Sequence, residues 1–202
     1  TSGGLPTNAV YGFVQMLIKI LKEEKPELLA VAFDTPEPTF RHQEYPEYKA
    51  NRPPAPEDLI PQWAYIYRLV EAFDIPALSM PGYEADDILG TMARRGEEEG
   101  FQVTILSGDK DMFQLVTPNV RLMDTLKDRV FDEDAVMERY GVKPDQMVEI
   151  QGLMGDKIDN VPGVPGIGEK TAVALIKEYH DIENLLSNTE GVKREKIKQS
   201  LR

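Results

Sequence analysis

The chain has 202 residues, with 35 acidic and 23 basic side chains and a formal net charge of −12. A chain of this length can bury a sizeable core, and we expect one domain with an appendage. Hydrophobic residues make up 41% and charged residues 29%. No apolar run approaches the roughly 18 residues of a membrane span, so a membrane span and a disordered chain are both excluded.

Cysteine is absent from the sequence, which excludes a disulfide framework, a thiolate metal site and a cysteine nucleophile. Its absence also fits a reducing compartment. The two histidines, His42 and His180, are too far apart in sequence for a local zinc motif. An acidic chain argues against a nucleic-acid partner, because phosphate binding draws on positive charge, unless many of the acids hold metal ions.

The first part of the chain alternates between helical and extended patterns. Thr7 is a candidate N-cap for an amphipathic helix with apolar residues from Val10 to Leu21, which ends before Pro26. Residues 28–33 form an apolar run typical of a strand buried on both faces of a parallel sheet. Residues 35–61 lack a steady period, which predicts an exposed excursion, and a second helix is expected over residues 56–73.

The alternation continues further along the chain. We expect a strand at 75–79, a helix at 84–99 ended by Gly100, a strand at 102–107, and a strand at 120–123 with a hairpin partner at 129–131. This order predicts an α/β domain with a mostly parallel sheet. Beyond it the pattern is helical, apart from a Gly/Pro-rich stretch at 160–168. The predicted domains are therefore an α/β core over 1–130 and a helical subdomain over 131–202.

Acidic side chains recur at the ends of the predicted elements. One follows the first strand, three open a helix, two follow the next strand and two precede the Gly/Pro-rich stretch: Asp34; Glu84, Asp86 and Asp87; Asp109 and Asp111; Asp156 and Asp159. Because the carboxyl ends of parallel strands meet at one edge of a sheet, we expect these acids to converge. Carboxylates so close together must either have raised pKa values or bind cations. Their hard oxygen atoms favour Mg²⁺ or Mn²⁺.

The spacing within each group of acids is consistent with shared ligation. Glu84 and Asp87 are three residues apart on one helical face, a spacing that Asp156 and Asp159 repeat, and the Asp109/Asp111 pair shares one face of an extended strand end. Several carboxylates without a catalytic His or Cys are typical of two-metal phosphodiester cleavage. The alternative is structural, because acids favour a first helical turn and Asp is common after a strand.

Three glycines, Gly163, Gly166 and Gly168, come just before a helical pattern. Glycine lets the backbone approach a partner, and the first amides of a helix point outward to an anion. A nucleic-acid phosphate is the natural guest, with Lys170 and Lys177 adding charge. A nucleotide-binding loop is a weaker alternative, because the G-x-x-x-x-G-K-[ST] spacing is missing. A tight helix-turn-helix corner is the structural alternative.

Residues 40–52 interleave cations with aromatic side chains, a combination that binds a single strand through phosphate contacts and base stacking. Lys49 and Arg52 would share a face if the segment were helical, and a cation beside a scissile phosphate stabilises the charge of the transition state. The alternative is a solvated loop with incidental charges. In that case Tyr45 and Tyr48 pack the loop down, and His42 is a surface histidine.

Taken together, these motifs resemble the flap endonuclease family, and within it the 5′-nuclease domains of bacterial DNA polymerase I. The matching segments run through nearly the whole chain in family order: AFD at 32–34, FR at 40–41, YKANR at 48–52, PGYEADD at 81–87, SGDKD at 107–111, GDKIDN at 155–160 and GVPGIGEKT at 163–171. A match of so many segments in order is highly specific.

The resemblance implies a PIN-like α/β fold, a helical arch at about residues 35–61 over the active site, and a helix-three-turn-helix module that binds duplex DNA. It implies that the eight acids serve two Mg²⁺ or Mn²⁺ ions, directly or through water, and that Lys49 and Arg52 lie at the arch base against the scissile phosphate. The DNA contacts implied are Arg41, Tyr48, Gly163, Gly166, Gly168, Lys170 and Thr171. A K⁺ ion on backbone carbonyls of the Gly163 to Gly168 turn is also implied.

The implied activity is structure-specific 5′-3′ exonuclease or flap endonuclease cleavage of DNA, or of an RNA primer, near a junction of single strand and duplex. The expected partner is DNA with a 5′ flap, a nick or a primer. We also expect a monomer without membrane association, located in the bacterial cytoplasm with the nucleoid, and joined to a polymerase portion in the parent protein.

The resemblance is incomplete at the amino-terminal end. Family members begin with a further strand that carries a metal-binding Asp, followed by a Tyr-Arg pair, and this sequence starts after both. We therefore expect a fragment, because a central strand missing from a parallel sheet would expose apolar edges. Two alternatives remain: a junction-binding DNA module that does not cut, and a Mg²⁺-dependent phosphatase of small substrates.

Overall fold

The computed structural model describes residues 4–202, and the chain divides into two compact units. The first unit ends at Phe40 and resumes over Pro53–Ile88, and the second comprises Arg41–Arg52 and Leu89–Arg202. The predicted domain boundary near residue 131 stays a prediction.

The elements follow one another in mixed order. The helices are α1 (Asn8–Glu23), α2 (Phe40–Glu44), α3 (Ile60–Ala72), α4 (Ala85–Glu98), α5 (Glu133–Tyr140), α6 (Met147–Met154), α7 (Glu169–Tyr179), α8 (Ile182–Ser187) and α9 (Glu195–Leu201). The strands are β1 (Val31–Ala32), β2 (Ala77–Leu78), β3 (Val103–Leu106), β4 (Val120–Asp124), β5 (Arg129–Phe131), β6 (Gly155–Asp156) and β7 (Val161–Pro162). Short 3₁₀ helices cover Lys110–Leu115, Pro144–Gln146 and Thr189–Gly191.

The first unit is built on a parallel pair of strands. β1 pairs with β2 in a register that places Val31 opposite Ala77. Phe33, Ile66 and Val70 form a small buried core, against which side chains of α1 pack. The core thus joins the strand pair to α1 and α3, whose apolar faces the helical spacing predicts.

β1 is shorter than the strand predicted over 28–33. Only Val31 and Ala32 pair with β2, which is itself two residues long. Leu28 is 71% exposed, and both residues of β1 are only half-buried. The prediction of a strand buried on both faces was therefore wrong, because an apolar run marks hydrophobic residues without specifying how many of them find a pairing partner.

The amino-terminal end of α1 is capped by Gln62 rather than by Thr7. Thr7 occupies the N-cap position, but its side chain makes no capping hydrogen bond. Gln62 Oε1 accepts hydrogen bonds from the backbone N–H groups of Ala9 (2.8 Å) and Val10 (3.2 Å), and its Nε2 donates two more. Gln62 is 1% exposed. A buried amide from α3 therefore satisfies donors that a helix start leaves unpaired.

The second unit contains a three-stranded sheet. β3 pairs with β4 in parallel, with Val103 opposite Val120, and β4 pairs with β5 antiparallel, with Leu122 opposite Phe131. This arrangement confirms the predicted strand at 120–123 and its hairpin partner. The buried core of the unit extends from these strands to the helices that follow, with Leu122, Val136, Ile150, Leu153, Ile176 and Leu185 among its fully buried side chains.

Helices predominate after β5, as predicted. Asp132 caps the start of α5, because its carboxylate accepts a hydrogen bond from the N–H of Ala135. Gly141 caps the end of α5 in the left-handed conformation (φ +72°). The antiparallel pair of β6 and β7 is an exception that the pattern did not predict. Parallel strand pairs combined with helices confirm the α/β class.

Within residues 4–202, no helix combines the length and the apolar character that crossing a bilayer requires.

The Gln62 cap leads to a stability prediction. Gln62→Ala is expected to lower the free energy of unfolding by about 1–3 kcal/mol, because it leaves buried backbone N–H groups of α1 unsatisfied. Urea denaturation followed by circular dichroism measures the change. Gln15→Ala, at an exposed position of α1, is the matched control and should stay within about 0.5 kcal/mol of wild type. Equal stability of the two variants would contradict the capping role.

Candidate metal centre and nucleic-acid interface

In the first unit, the structure brings Asp34 to the start of α4. Asp34 Oδ1 accepts a hydrogen bond from the backbone N–H of Ala85 at 2.7 Å. Asp87 Oδ2 accepts from the backbone N–H of Glu84 at 2.9 Å, and Asp86 lies beside Asp87 in the first turn of the helix. Asp34 therefore contacts the backbone of the segment that carries Glu84, Asp86 and Asp87, and the convergence of the four carboxylates stays a prediction. The helix dipole favours negative charge at this end, so the local fold stabilises the acids where they stand.

In the second unit, Asp109 and Asp111 follow β3 but do not continue it. Asp109 is the N-cap of the 3₁₀ helix Lys110–Leu115, and its Oδ1 accepts from the N–H of Asp111 at 2.9 Å. The backbone N–H of Asp109 in turn donates to Ser107 Oγ at 3.1 Å. The prediction that the pair shares one face of an extended strand was wrong, because the Asp side chain closes a turn as soon as β3 ends.

Asp156 and Asp159 do not lie on a helix either. Asp156 ends β6, and its Oδ1 accepts from the N–H groups of Ile158 (2.7 Å) and Asp159 (3.1 Å). The two acids are therefore related by a tight turn, in which they keep the predicted spacing of three residues without a helix. The turn is of the kind that an Asp side chain stabilises by accepting from the backbone two and three residues on.

Lys110 neutralises one of these acids. Its Nζ lies 2.8 Å from Asp156 Oδ2. Burial works to raise the pKa of Asp156, but the hydrogen bonds from Lys110 and from the backbone of the turn outweigh it and hold the pKa below its usual value. Burial correspondingly works to lower the pKa of Lys110, and the neighbouring Asp156, Asp111 and Asp109 raise it above its usual value.

The pKa of Asp111, by contrast, is raised. Burial, reinforced by the negative charge of Asp109, raises its pKa from 3.8 to about 6. Its Oδ1 accepts a short hydrogen bond from Gln151 Nε2 on α6. Neither Gln151 nor Lys110 is among the candidate site residues that the sequence predicted. Lys110 lies inside the SGDKD segment, where its position between two acids was an available signal, whereas Gln151 is 40 residues away from Asp111 and no local pattern marks it.

Asp159 contacts three side chains of the predicted arch base. Arg52 Nη2 lies 2.5 Å from Asp159 Oδ1, and Lys49 Nζ lies 3.8 Å from Asp159 Oδ2. Tyr48 donates its hydroxyl to Asp159 Oδ2 at 3.1 Å. The structure therefore places the two candidate catalytic cations beside a candidate metal ligand within one compact unit, although the residues are more than 100 positions apart in sequence.

The excursion at 40–52 is mostly turn, and its only regular element is the one-turn helix α2, which contains Arg41. Tyr48 is 7% exposed and packs edge-on against His42, with the ring centroids 5.3 Å apart. A ring buried in this way cannot stack on a nucleotide base in this conformation. The structure therefore favours the alternative in which Tyr48 packs the loop down. Arg41 and His42 are both half-buried.

The glycines of the Gly/Pro-rich turn differ in their surroundings. A Cβ on Gly163 would come within 2.4 Å of Gly155 N, so Gly163 allows a close approach of two backbone segments. Around Gly166 (φ +86°) and Gly168 a Cβ would meet nothing within 4 Å. Gly168 is the N-cap of α7, and Lys170 is exposed in the first turn of that helix. This half of the turn can therefore accept an anion at the helix start.

The carboxylates of residues 4–202 include no group of three or more that could hold a metal ion as they stand. The donor set nevertheless fits a hard divalent cation, because it consists of carboxylate oxygens. The raised pKa of Asp111 is a second sign of fit, since it reflects crowded negative charge that a cation would relieve. By contrast, both oxygens of Asp159 already accept hydrogen bonds from Arg52 and Tyr48.

Two sequence models of one protein family together cover the whole chain. The 5′-3′ exonuclease N-terminal resolvase-like domain matches residues 1–141, and the 5′-3′ exonuclease C-terminal SAM fold matches residues 142–202. The chain belongs to the 5′-3′ exonuclease family. This membership confirms the resemblance and the expectation of a nuclease. The alternative of a small-substrate phosphatase gains no support from either model.

Relatives with a similar sequence are proteins of different length. DNA polymerase I of Bacillus caldotenax is 49% identical over 203 residues, which is 98% of this chain and 23% of the polymerase. The 5′-3′ exonuclease of Aquifex aeolicus is 44% identical over 195 residues, which is 96% of this chain and 68% of that protein. The chain thus spans under a quarter of the polymerase relative and about two thirds of the exonuclease relative.

Solved structures share the fold. The 5′-exonuclease of bacteriophage T5 with bound divalent zinc has a TM-score of 0.82 and 23% identity, and the alignment covers 97% of this chain and 76% of that one. The T5 D15 flap endonuclease, in a pseudo-enzyme-product complex with DNA and metal ions, has a TM-score of 0.79 and 24% identity over 97% and 75% of the two chains. Together with the family models, these likenesses confirm the predicted fold class.

The electrostatics of Asp111 predict a pH dependence of stability. Its pKa is about 6 in the folded chain against 3.8 without the fold, so the folded state keeps the proton to higher pH. Ionising Asp111 as the pH rises from about 4 to about 6 therefore destabilises the fold. Asp111→Asn, which retains the acceptor for Gln151, should be more stable than wild type at pH 7.5 and should lose this advantage near pH 4.

Urea denaturation in EDTA at both pH values measures this difference. Asp145→Asn, an exposed site in the second unit, controls for the loss of one negative charge. A stability difference between Asp111→Asn and wild type that stays constant between pH 4 and pH 7.5 would rule out the titration of Asp111 as its cause.

Proposed function

We propose that the chain is a structure-specific 5′ nuclease that hydrolyses phosphodiesters of DNA, or of an RNA primer, near the junction of single strand and duplex. The observation that carries this proposal is the convergence of Lys49 and Arg52 on Asp159, beside the turn that also presents Asp156. Cations next to carboxylates can bind a phosphate whose charge the carboxylates' metal ions also stabilise. Membership of the 5′-3′ exonuclease family supports the same chemistry.

The ions proposed are two Mg²⁺ or Mn²⁺. The residues proposed to serve them, directly or through water, are Asp34, Glu84, Asp86, Asp87, Asp109, Asp111, Asp156 and Asp159. When bound, such ions lower the pKa of the attacking water and stabilise charge on the phosphate oxygens. The engagement of both Asp159 oxygens favours a contact through water for this residue.

The chain's own cations bind and orient the substrate. Lys49 and Arg52 would contact the scissile phosphate, and Asp159 holds both side chains in place. Arg41 would contact the single strand, and Tyr48 acts indirectly by fixing the loop. These roles require the side chains to exchange part of their contact with Asp159 for the phosphate.

The helical region 131–202 supplies the duplex contact in this proposal. Gly166, Gly168, Lys170 and Thr171 lie at the start of α7, where backbone N–H groups and a lysine can bind a phosphate without reading sequence. Backbone carbonyls of the turn between Gly163 and Gly168 would hold K⁺ between the turn and the DNA.

The proposed substrates are a 5′ flap, a nick and a primer-bearing duplex. The identity to DNA polymerase I supports a parent protein that also carries a polymerase portion. In this proposal that protein acts as a monomer on DNA in the bacterial cytoplasm during replication and repair. Pairing of Asp156 with Lys110 and of Asp159 with Arg52 satisfies both acids without a metal, and this favours a second candidate: a junction-binding module that does not cut.

Cleavage of an end-labelled 5′-flap duplex separates the two candidates. The 202-residue chain is assayed with Mg²⁺ and with EDTA, next to a longer chain that includes any residues preceding Thr1 in its gene. The nuclease proposal requires Mg²⁺-dependent cleavage close to the junction by at least one of them. Tight binding of the flap by both without any cleavage would establish the junction-binding module instead.

Removing one carboxylate from either unit should abolish cleavage while preserving binding. Asp87→Asn and Asp109→Asn are each expected to lower the cleavage rate by about 100-fold or more, because a neutral amide holds a divalent cation poorly. Flap affinity, measured in Ca²⁺ by fluorescence anisotropy, should change little. Asp145→Asn serves as the charge control. A variant that cuts at the wild-type rate would exclude its residue from the metal site.

Reversing the charge at the start of α7 should weaken duplex binding alone. Lys170→Glu is expected to raise the dissociation constant for duplex DNA and to reduce the slope of log K against log salt by about 0.9, the contribution of one phosphate contact. Lys22→Glu, at an exposed position of α1, makes the same change of net charge. If both variants bind duplex equally well at physiological salt, the α7 start is not a phosphate contact.

A further inference from the structure

Two surface loops of the second unit are joined by hydrogen bonds from asparagine side-chain amides. The first, here the arch-base loop, comprises residues 46–52, and the second, the DKIDN turn, comprises residues 156–160. Asn51 Nδ2 donates to the backbone carbonyl of Lys157 at 2.8 Å, and Asn160 Nδ2 donates to the backbone carbonyl of Glu47 at 2.7 Å. Each loop therefore supplies one side-chain amide donor and one backbone carbonyl acceptor to these contacts.

A backbone hydrogen bond lies between these two amide contacts. The N–H of Lys49 donates to the carbonyl of Asp159 at 2.9 Å. Lys49 has a φ of +57° and so does Asn160, a left-handed conformation that is unfavourable for lysine and better tolerated by asparagine. The surrounding contacts must hold Lys49 in this conformation. Tyr48 and Arg52 bond to the side chain of Asp159, and the two asparagines connect the loops through backbone carbonyls on either side of Lys49.

We propose that Asn51 and Asn160 are positioning residues for phosphodiester cleavage. Their reciprocal hydrogen bonds, here called the asparagine clamp, fix the arch-base loop on the DKIDN turn and thereby set Lys49 and Arg52 at Asp159. Neither asparagine needs to touch the substrate in this role. The catalytic part of the proposal rests on the proposed nuclease function, whereas the clamp itself is a property of the fold.

The chemistry of the contacts explains why an amide is needed at both positions. A backbone carbonyl only accepts hydrogen bonds, and the Asn amide is a donor of the right length, whereas an Asp carboxylate at the same place would repel the carbonyl. The arch-base loop is built of turns and carries little buried apolar surface apart from Tyr48. Directed hydrogen bonds, rather than packing, therefore determine where its cations lie.

The clamp predicts a selective loss of the cleavage step. Asn51→Ala removes one donor. Asn160→Gly removes the other while permitting the left-handed backbone, and Asn160→Asp keeps the shape without the donor. Each should lower the single-turnover rate constant at saturating flap DNA by about 10- to 100-fold, because small displacements of positioning groups have effects of this size. The dissociation constant for the flap should change by less than about threefold. The double variant should lose less than the product of the two single losses, because the residues act as a unit.

Amide hydrogen exchange provides a readout that does not depend on activity. The N–H of Lys49 should be protected in wild type and should exchange about tenfold faster in each variant, since its acceptor lies on the loop that the clamp holds. Asn188→Ala, which removes an exposed asparagine amide in the same unit, is the matched control and should change neither cleavage nor Lys49 exchange.

The two levels of the proposal fail separately. If wild type does not cut flap DNA, the nuclease function and the catalytic role of the clamp fall together, and Lys49 exchange still decides whether the clamp exists. If wild type cuts and both asparagine variants cut at the same rate with unchanged Lys49 exchange, the clamp is wrong and the nuclease function stands. A rise in the dissociation constant that accounts for all of the lost cleavage would show DNA contact instead of positioning.

Discussion

The carboxylate of Asp159 is the contact that gathers Lys49 and Arg52, the candidate catalytic cations of the second unit. A half-buried carboxylate is unfavourable unless charges or hydrogen-bond donors compensate it, and here a guanidinium, an ammonium and a phenol hydroxyl do so together. Those three groups come from Tyr48, Lys49 and Arg52, in a loop with little core of its own. The requirement to compensate one acid therefore orders a segment that composition alone would leave as solvated turns.

The same unit shifts the pKa values of two neighbouring acids in opposite directions. Asp156 has Lys110 and two backbone N–H groups, and its pKa is lowered. Asp111 is more buried and faces Asp109, and its pKa is raised to about 6. Lys110 Nζ lies 2.8 Å from Asp156, and its charge lowers the pKa of Asp111 by less than burial and Asp109 raise it. The side of the cluster at Asp111 is thus short of positive charge, which is the condition that a divalent cation would correct.

The sequence predicted the helices better than it predicted the local geometry of the candidate site residues. Amphipathic spacing located α1, α3 and α4, because burial of one helical face imposes that period. The i, i+3 spacing of Asp156 and Asp159 is equally compatible with a helix and with a side-chain-closed turn, and only the three-dimensional partners distinguish them. The cap at α1 comes from Gln62, 53 residues from Ala9 in the chain, so no local signal could have identified it.

A single short hairpin connects the acids to the glycine-rich turn. β6 ends at Asp156, the DKIDN turn follows, and β7 returns with Val161 opposite Asp156 before the chain enters Gly163. A Cβ on Gly155 would lie 2.3 Å from Gly163 N, so the two backbone segments approach more closely here than a residue with a side chain would allow. The spacing between the acids of this turn and the start of α7 is therefore set by backbone contacts. In the proposed function, a chain of net charge −12 binds DNA through a few cations at fixed positions, which matter more than the sum of its charges.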